Sequence, residues 1–166
     1  MKYILPLILF LLILIFPQKA YCSENLTLSL VEYNDLGELS WHVAQAALPP
    51  SNHMRARVEG SLAALLNYEA QNVYTYPKNI SILSVHYLFG CVSIDLSADF
   101  NDFGGGSMVE QIYLAQIVKT LLDIEGVEKV TLLLDGLIGN TAEGIAVKEV
   151  YSWQELMEGK MTNTDS

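Results

Sequence analysis

The sequence has 166 residues, of which 51% are hydrophobic and 17% charged, so we expect one domain with its own core and exclude a disordered chain. Nine lysines and arginines against nineteen aspartates and glutamates give a formal net charge of −10. Nucleic-acid binding depends on basic residues that displace counterions from phosphates, so this balance argues against a nucleic-acid partner.

The first 22 residues are organised like a secretory signal peptide. Lys2 is followed by an apolar run over residues 3–16, which is shorter than the roughly 20 residues that span a bilayer. Ala20 and Cys22 supply small residues for cleavage after position 22, so we expect an exported, extracytoplasmic protein. Lipidation of Cys22 is the alternative, and it would tether the domain to a membrane. Membrane contact is expected only through the signal sequence or that anchor.

We expect residues 23–150 to form a single domain and residues 151–166 to form a C-terminal tail that is loosely ordered after Glu158. The mature chain then has seven basic and nineteen acidic residues, and its net charge becomes −12. Cys91 is the one cysteine left after cleavage, so an internal disulfide cannot form and the apolar core must stabilise the fold. Cys91 itself falls in a predicted strand and is expected to be a small buried apolar residue.

Hydrophobic periodicity predicts both strands and helices. Residues 26–33 alternate as a strand whose Leu26, Leu28 and Leu30 face inward. The predicted elements after this strand are a returning strand at 39–43, a helix at 54–68, a hairpin at 80–96, a helix from 107 to about 124 and a strand at 127–134. Because hairpins recur between the helices, we expect the α+β class, with a mixed, largely antiparallel sheet and two main helices packed on one face.

An acidic, glycine-rich loop precedes the second predicted helix. Ser107 and Glu110 have the spacing of a capping box, in which the serine bonds the first-turn amides and the glutamate reaches back. Asp95 ends the preceding strand, and we expect its carboxylate to accept backbone amides in a short turn. These patterns predict that polar side chains at both ends of the loop form hydrogen bonds with backbone amides.

The same loop, Asp95–Gly106, is also a candidate ligand site. Its alternating acidic and hydroxyl residues resemble the opening of a calcium loop, but Phe100 and Gly106 stand where an EF-hand needs Gly and Glu. The glycines also lack the Gly-Lys-Ser/Thr ending of a nucleotide loop. A structural turn is therefore favoured, with weak cation or small-ligand binding as the alternative. The residues of this candidate site are Asp95, Ser97, Asp99, Asp102, Gly104, Gly105, Gly106 and Ser107.

Arg55 and Arg57 place two basic residues at the start of the first predicted helix, where the helix dipole disfavours cations. One interpretation is a basic spot that binds an acidic partner surface. The other is solvent exposure with local pairing, for example between Arg55 and Glu59 at i, i+4.

The remaining chemistry-bearing residues form no recognised catalytic pattern. His42, His53 and His86 share no metal-ligand spacing, and the chain lacks a Gly-x-Ser-x-Gly elbow and a Cys/His signature. We therefore expect no cofactor, no bound metal and no enzymatic activity. An enzyme acting on cell-wall material is the alternative, and it would need Asp95 paired with Asp99 or Asp102 in one cleft.

Several short motifs occur in a fixed order. Val92–Phe100 reads VSIDLSADF, of the form V-x-[VI]-D-L-S-x-x-F. It is followed by GSxxE at 106–110, QIVKTL at 116–121, GVxxV at 126–130 and DG at 135–136. Together these motifs resemble the GerMN domain, a module of sporulation and spore germination proteins and of other bacterial envelope proteins. The resemblance is dense over residues 80–136 and looser over residues 26–70.

The resemblance implies an exported or membrane-tethered assembly domain. Its compact α/β fold would be similar to the ring-building modules of secretion and sporulation complexes, and its partners would be other envelope proteins or copies of itself. The family carries no catalytic residues to transfer. One such domain is expected here, whereas the germination protein has two.

Overall fold

The computed structural model describes residues 24–101, 105–147 and 150–152. The predicted signal peptide with Cys22, the loop residues Asp102 and Gly104, and residues 153–166 lie outside these ranges. Of the helices described, none combines the length and the apolar character needed to cross a membrane.

The order of elements follows the predicted alternation of strands and helices. The elements are β1 (Glu24–Tyr33), β2 (Leu39–Leu48), α1 (Met54–Leu66), β3 (Ile82–Leu88), β4 (Cys91–Leu96), a short 3₁₀ helix (Ala98–Asn101), α2 (Gly106–Leu122), β5 (Lys129–Leu134) and β6 (Tyr151–Ser152). The predicted α+β class is confirmed.

In the described part of the chain the strands form two sheets rather than one. Strands β1 and β2 form an antiparallel hairpin with an uninterrupted register from Glu24↔Leu48 to Tyr33↔Leu39. The other sheet has the order β3-β4-β5-β6, in which β4 and β5 are parallel and the remaining pairs are antiparallel. Helix α2 makes the crossover that a parallel pair requires.

One apolar core joins both helices and both sheets. Leu26, Leu28 and Leu30 face inward as predicted and are buried. Helix α1 packs on β1, β2 and β3, whereas α2 packs on β1, β5 and α1. Further core residues are Val58, Leu62 and Leu65 from α1, Ile117 and Leu121 from α2, Val92 and Ile94 from β4, and Val130 and Leu132 from β5.

Polar side chains of α2 cover the outer edge of β1. Thr120 Oγ1 accepts the backbone N–H of Ser29 at 3.0 Å, and Gln116 Oε1 accepts that of Val31 at 2.6 Å. Farther along, Tyr33 N–H donates to the carbonyl of Asn72 at 2.9 Å. The helix thus takes the place of a neighbouring strand and satisfies backbone donors that would otherwise be buried without acceptors.

The predicted capping box at Ser107 and Glu110 is wrong. Helix α2 begins at Gly106, its N-cap is Gly105 in the left-handed region at φ 113°, and no side chain of the described residues caps it. Glu110 points into the fold instead, where it accepts hydrogen bonds from Thr141 Oγ1 and from Glu143 N–H. A buried carboxylate needs such donors, and residues 141–143 supply them.

The structure differs from two other predictions, which concern the C-terminal tail and the burial of Cys91. Tyr151 is 1% exposed and pairs with Val130, so the fold includes residues 151 and 152 of the segment predicted as a tail. Cys91, predicted to be buried, is exposed at the start of β4. The alternation of β4 explains this outcome, because Val92 and Ile94 face the core and Cys91 faces the other side.

Candidate interaction surface

One face of the β1–β2 hairpin carries large apolar side chains that reach solvent. On β2, Leu39, Trp41 and Val43 are 43%, 45% and 58% exposed. They occupy alternate positions, so their side chains lie on one face of the strand. On the opposite face Ala44 is buried against the core.

An apolar groove of about 310 Å³ lies between this face and the N-terminal half of α2. The residues that line it are mainly apolar and include Val31, Leu39, Trp41, Met108, Ile112 and Tyr151. Large pockets lined by apolar side chains are the usual places where proteins bind ligands or partner side chains. We call Leu39, Trp41, Val43 and this groove the hairpin surface.

Trp41 is held in position at the rim of the hairpin surface. The Nζ of Lys119 lies 5.7 Å from the centre of its ring, within the range of a cation–π contact. Lys119 is in turn paired with Asp123, with 3.0 Å between Nζ and Oδ2. A half-exposed tryptophan fixed in this way offers a rigid apolar contact, which is typical of the anchor residues in protein interfaces.

Among the residues that the structure describes, the outer edge of β2 has backbone groups that no other strand pairs. Because the N–H groups of Ser29 and Val31 point away from β2 toward α2, their cross-strand partners Val43 and Trp41 must also direct N–H and C=O away from the hairpin. Among the described residues β2 pairs with β1 alone. This edge is therefore open to another strand.

The structure places Asp95 and Ser97 in backbone-supporting roles. Asp95 Oδ1 accepts the N–H of Gly136 at 2.9 Å, so the carboxylate bonds a backbone amide as expected, although the amide belongs to the turn after β5. Ser97 exchanges hydrogen bonds with Ser81: its N–H donates to the Ser81 carbonyl at 2.9 Å, and its hydroxyl oxygen accepts the Ser81 N–H at 3.0 Å.

The remaining loop candidates are spread along the chain rather than gathered. Asp99 lies in the 3₁₀ helix and is half-buried, whereas Gly105, Gly106 and Ser107 form the start of α2. Asp102 and Gly104 lie outside the described residues. Within the described ranges, His, Cys, Asp and Glu side chains form no group of three that could hold a metal ion.

Both arginines of the predicted basic spot are paired with carboxylates. Arg55 Nε lies 2.7 Å from Glu59 Oε1, which is the i, i+4 pair considered from the sequence. Arg57 Nε lies 2.7 Å from Glu24 Oε1. Since Glu24 is opposite Leu48 in the hairpin, this pair fixes the basic spot at the Leu48 end of β2.

The sequence interpretation missed the hairpin surface, although a signal for it is present. The sequence pattern predicts a returning strand at 39–43 and assigns no role to its exposed face. The segment from Leu39 to Leu48 contains no lysine, arginine, aspartate or glutamate, and it places large apolar residues at 39, 41 and 43. A two-stranded hairpin can bury one face only, so apolar residues on both faces indicate an exposed apolar surface.

The sequence profile of the Germane family, described as "Sporulation and spore germination", matches residues 37–137, which is more than half of the chain. The chain belongs to the Germane family. The matched range begins in the turn before β2, includes both helices and ends just after β5. The predicted resemblance to the GerMN domain is confirmed.

Solved GerMN structures share the fold of this Germane chain at low identity. The first GerMN domain of the sporulation protein GerM from Bacillus subtilis aligns with a TM-score of 0.61 and 18% identity, over 79% of this chain and 98% of that one. The tandem GerMN domains of GerM align with a TM-score of 0.64 and 16% identity, over 81% of this chain and 47% of theirs. The Germane chain therefore spans about half of the tandem structure.

A protein from Clostridium perfringens, provisionally described as a lipoprotein, has a related fold. It aligns with a TM-score of 0.53 and 17% identity, over 80% of this chain and 89% of its own. The comparison with curated proteins gives no match. At these identities the solved structures establish the fold of the Germane domain.

Proposed function

We propose that this Germane protein is a non-enzymatic assembly domain that works outside the cytoplasm and binds other envelope proteins through the hairpin surface. The observation that carries the proposal is the apolar groove beside an open strand edge. Exposed apolar surface of this kind is costly in water unless a partner covers it. Related domains occur in a sporulation protein, which is consistent with a role in assembling envelope complexes.

The polar residues in the described part of the chain support a non-enzymatic role. Asp95, Glu110 and Asp123 each accept hydrogen bonds from their own chain, which fixes the positions of strands and loops. A catalytic group needs access to a substrate, and Glu110 is 2% exposed. The Germane family is not a known class of enzymes.

The proposed location depends on the N-terminal sequence. Residues 1–22 have the pattern of a signal peptide, and a protein of related fold is provisionally described as a lipoprotein. Export followed by release, or by tethering at Cys22, both place the domain where envelope proteins assemble. Cell fractionation tests this part: the trimmed or lipidated chain should be found outside the cytoplasm, and an untrimmed chain in the soluble cytoplasmic fraction would contradict it.

Site-specific photocrosslinking in intact cells tests the assembly role. A photoreactive amino acid at Trp41 probes the hairpin surface, and the same residue at Leu83 is the matched control, because Leu83 is a similarly exposed apolar residue on β3. We expect discrete protein adducts from position 41 that are absent from position 83. Equal capture at both positions, or no adduct from either, would contradict the proposal.

A further inference from the structure

We propose that two copies of this chain pair through the outer edges of their β2 strands, antiparallel and about a two-fold axis at Val43. The two hairpins would then form one continuous four-stranded sheet. This inference rests on the proposed assembly function and names a second copy as the occupant of the open edge. It depends on three features of β2: its exposed backbone, its side-chain pattern and the charges at its two ends.

In the described part of the chain, the edge of β2 lacks the devices that normally keep edge strands apart. Proteins protect such edges with charged side chains, prolines, bulges or covering elements. From Leu39 to Leu48 there is no Lys, Arg, Asp, Glu or Pro, and the register with β1 is uninterrupted over ten residue pairs. The outer edge of β1, in contrast, is covered by Gln116 and Thr120.

The side chains of β2 complement each other under two-fold rotation. With Val43 opposite its own copy, Trp41 of each strand is opposite Gln45 of the second copy, and Leu39 is opposite Ala47. Each large side chain therefore faces a smaller one of the second copy, at a distance where cross-strand side chains interact. These are also the residues whose N–H and C=O groups point outward, so each of these pairs is a hydrogen-bonded pair.

The charges at the ends of the hairpin favour this direction of pairing. Asp35 and Glu38 give the turn between β1 and β2 an acidic character, whereas Arg57 lies at the Leu48 end through its ion pair with Glu24. Antiparallel pairing brings the acidic turn of one copy to the end that carries Arg57 in the other. Parallel pairing would bring the two acidic turns together and is opposed by repulsion.

The charge pattern also favours a second copy over an unrelated basic partner. The mature chain has a net charge of −12, and on that basis alone two copies should repel. However, His42 is the only ionisable side chain from Leu39 to Leu48, so the edge that forms the contact adds little repulsion of its own. At the two ends, the acidic turn of one copy meets an end of the other copy where Arg57 already neutralises Glu24, so antiparallel pairing avoids a contact between like charges there.

The test measures the mass of the mature chain in solution by sedimentation velocity over a concentration series. We expect a concentration-dependent dimer. Val43→Lys and Val43→Glu should each weaken dimerisation at least tenfold, because each places like charges directly opposite one another at the two-fold axis. An equimolar mixture of the two variants should recover the dimer, since lysine then meets glutamate. Val43→Thr, which keeps the strand preference and adds no charge, should weaken dimerisation much less than either charged variant.

The control for nonspecific charge effects is the pair Leu83→Lys and Leu83→Glu, placed on an exposed position of the other sheet. These variants should dimerise like the unmodified chain. Circular dichroism of each variant checks that the domain stays folded, and Val43 is 58% exposed, so the charged variants should fold. A chain that stays monomeric at all concentrations would overturn the proposal.

If Val43→Lys and Val43→Glu both dimerised as strongly as the unmodified chain, β2 pairing at this register would also be overturned. The same holds if the equimolar mixture of the two variants failed to form the dimer. Neither result would remove the assembly function, which predicts adducts from Trp41 to other envelope proteins in cells. Conversely, adducts that contain only this chain, together with recovery by the mixed variants, would support the second copy as the partner.

Discussion

At the scale of single residues, Glu110 joins helix α2 to the loop over residues 141–143. Its carboxylate accepts a hydrogen bond from the Thr141 hydroxyl and another from the backbone N–H of Glu143, at an N–O distance of 3.2 Å. Glu110→Ala leaves these two donors without an acceptor, so we expect the free energy of unfolding in urea to fall by about 1–3 kcal/mol. Glu125→Ala, which removes an exposed carboxylate, is the control and should leave the midpoint unchanged. Equal midpoints for the two variants would contradict this role.

Tyr76 makes stability depend on pH at the alkaline end. Its hydroxyl donates to the carbonyl of Tyr113 at 2.8 Å, and burial raises the pKa of Tyr76 above its ordinary value of 10.0. The unfolded chain therefore loses this proton at a lower pH than the folded chain. The contribution to stability is complete below about pH 10 and is lost as pH rises above that value. Burial raises the pKa of Tyr113 as well, which adds to the same trend.

Tyr76→Phe removes the ionisable group, so its stability should fall less steeply above pH 10 than that of the unmodified chain. Urea unfolding at a series of pH values from neutral to alkaline measures this slope. Tyr33→Phe, on a tyrosine that is partly exposed at the end of β1, is the control and should keep the original slope. Parallel stability curves for Tyr76→Phe and Tyr33→Phe would show that Tyr76 does not produce the dependence.

Glu110 also shows which residue roles the sequence can predict. Its spacing from Ser107 fits a capping box, but its partner Thr141 is 31 residues away and becomes visible only in the folded chain. The Arg55–Glu59 pair is local, at i, i+4, and could be considered from the sequence. The role of Asp95 is predictable only in part. The sequence predicts that its carboxylate accepts a backbone N–H, but it does not identify Gly136 as the donor.

At the scale of secondary-structure elements, helix α2 substitutes for a strand along β1. Gln116 is fully buried, accepts the N–H of Val31 and donates from Nε2 to the carbonyl of Tyr74 at 3.2 Å. Gln116→Leu keeps the volume but removes both hydrogen bonds. We expect the Val31 amide to exchange with solvent faster than in the unmodified chain, because its acceptor is gone.

Hydrogen exchange followed by NMR resolves this effect within one strand. The Leu30 amide, which points toward β2, should stay protected in Gln116→Leu. Gln111→Leu is the matched control, because it makes the same change on the same helix at a partly exposed position. Unchanged protection of Val31, or an equal loss at Leu30, would contradict a specific role of Gln116 at the β1 edge.

Element types could be predicted because they follow local periodicity, whereas pairing could not. The alternation of Leu26, Leu28 and Leu30 identified β1, and the stripe on α1 identified the helix that ends at Leu66. Nothing in that periodicity states that Gln116 and Thr120, rather than another strand, satisfy the β1 edge. For the same reason the local signal for the exposed edge of β2, and with it the hairpin surface, is limited to the missing charges and the apolar residues at 39, 41 and 43.

At the scale of the whole molecule, the two sheets are joined mainly by the helices and the shared core. Contacts over long sequence distance decide this arrangement, and they place the two-residue strand β6 beside β5. A strand of two residues is too short for any periodicity, which is why residues 151–166 were predicted as a tail. Tyr151 nevertheless lies in the core and also lines the groove of the hairpin surface.

The last prediction concerns where the folded domain ends. A chain that stops at Ser152 keeps Tyr151, whereas a chain that stops at Val150 loses it. Because removal of a fully buried aromatic side chain costs about 3–5 kcal/mol, we expect the shorter chain to have a markedly lower urea midpoint. Tyr151→Ala in the full mature chain distinguishes the contribution of the side chain from that of the β6 backbone. This variant should reproduce most of the decrease in the urea midpoint. If the chains ending at Val150 and Ser152 unfolded at the same urea concentration, Tyr151 would not contribute to the core as its burial indicates.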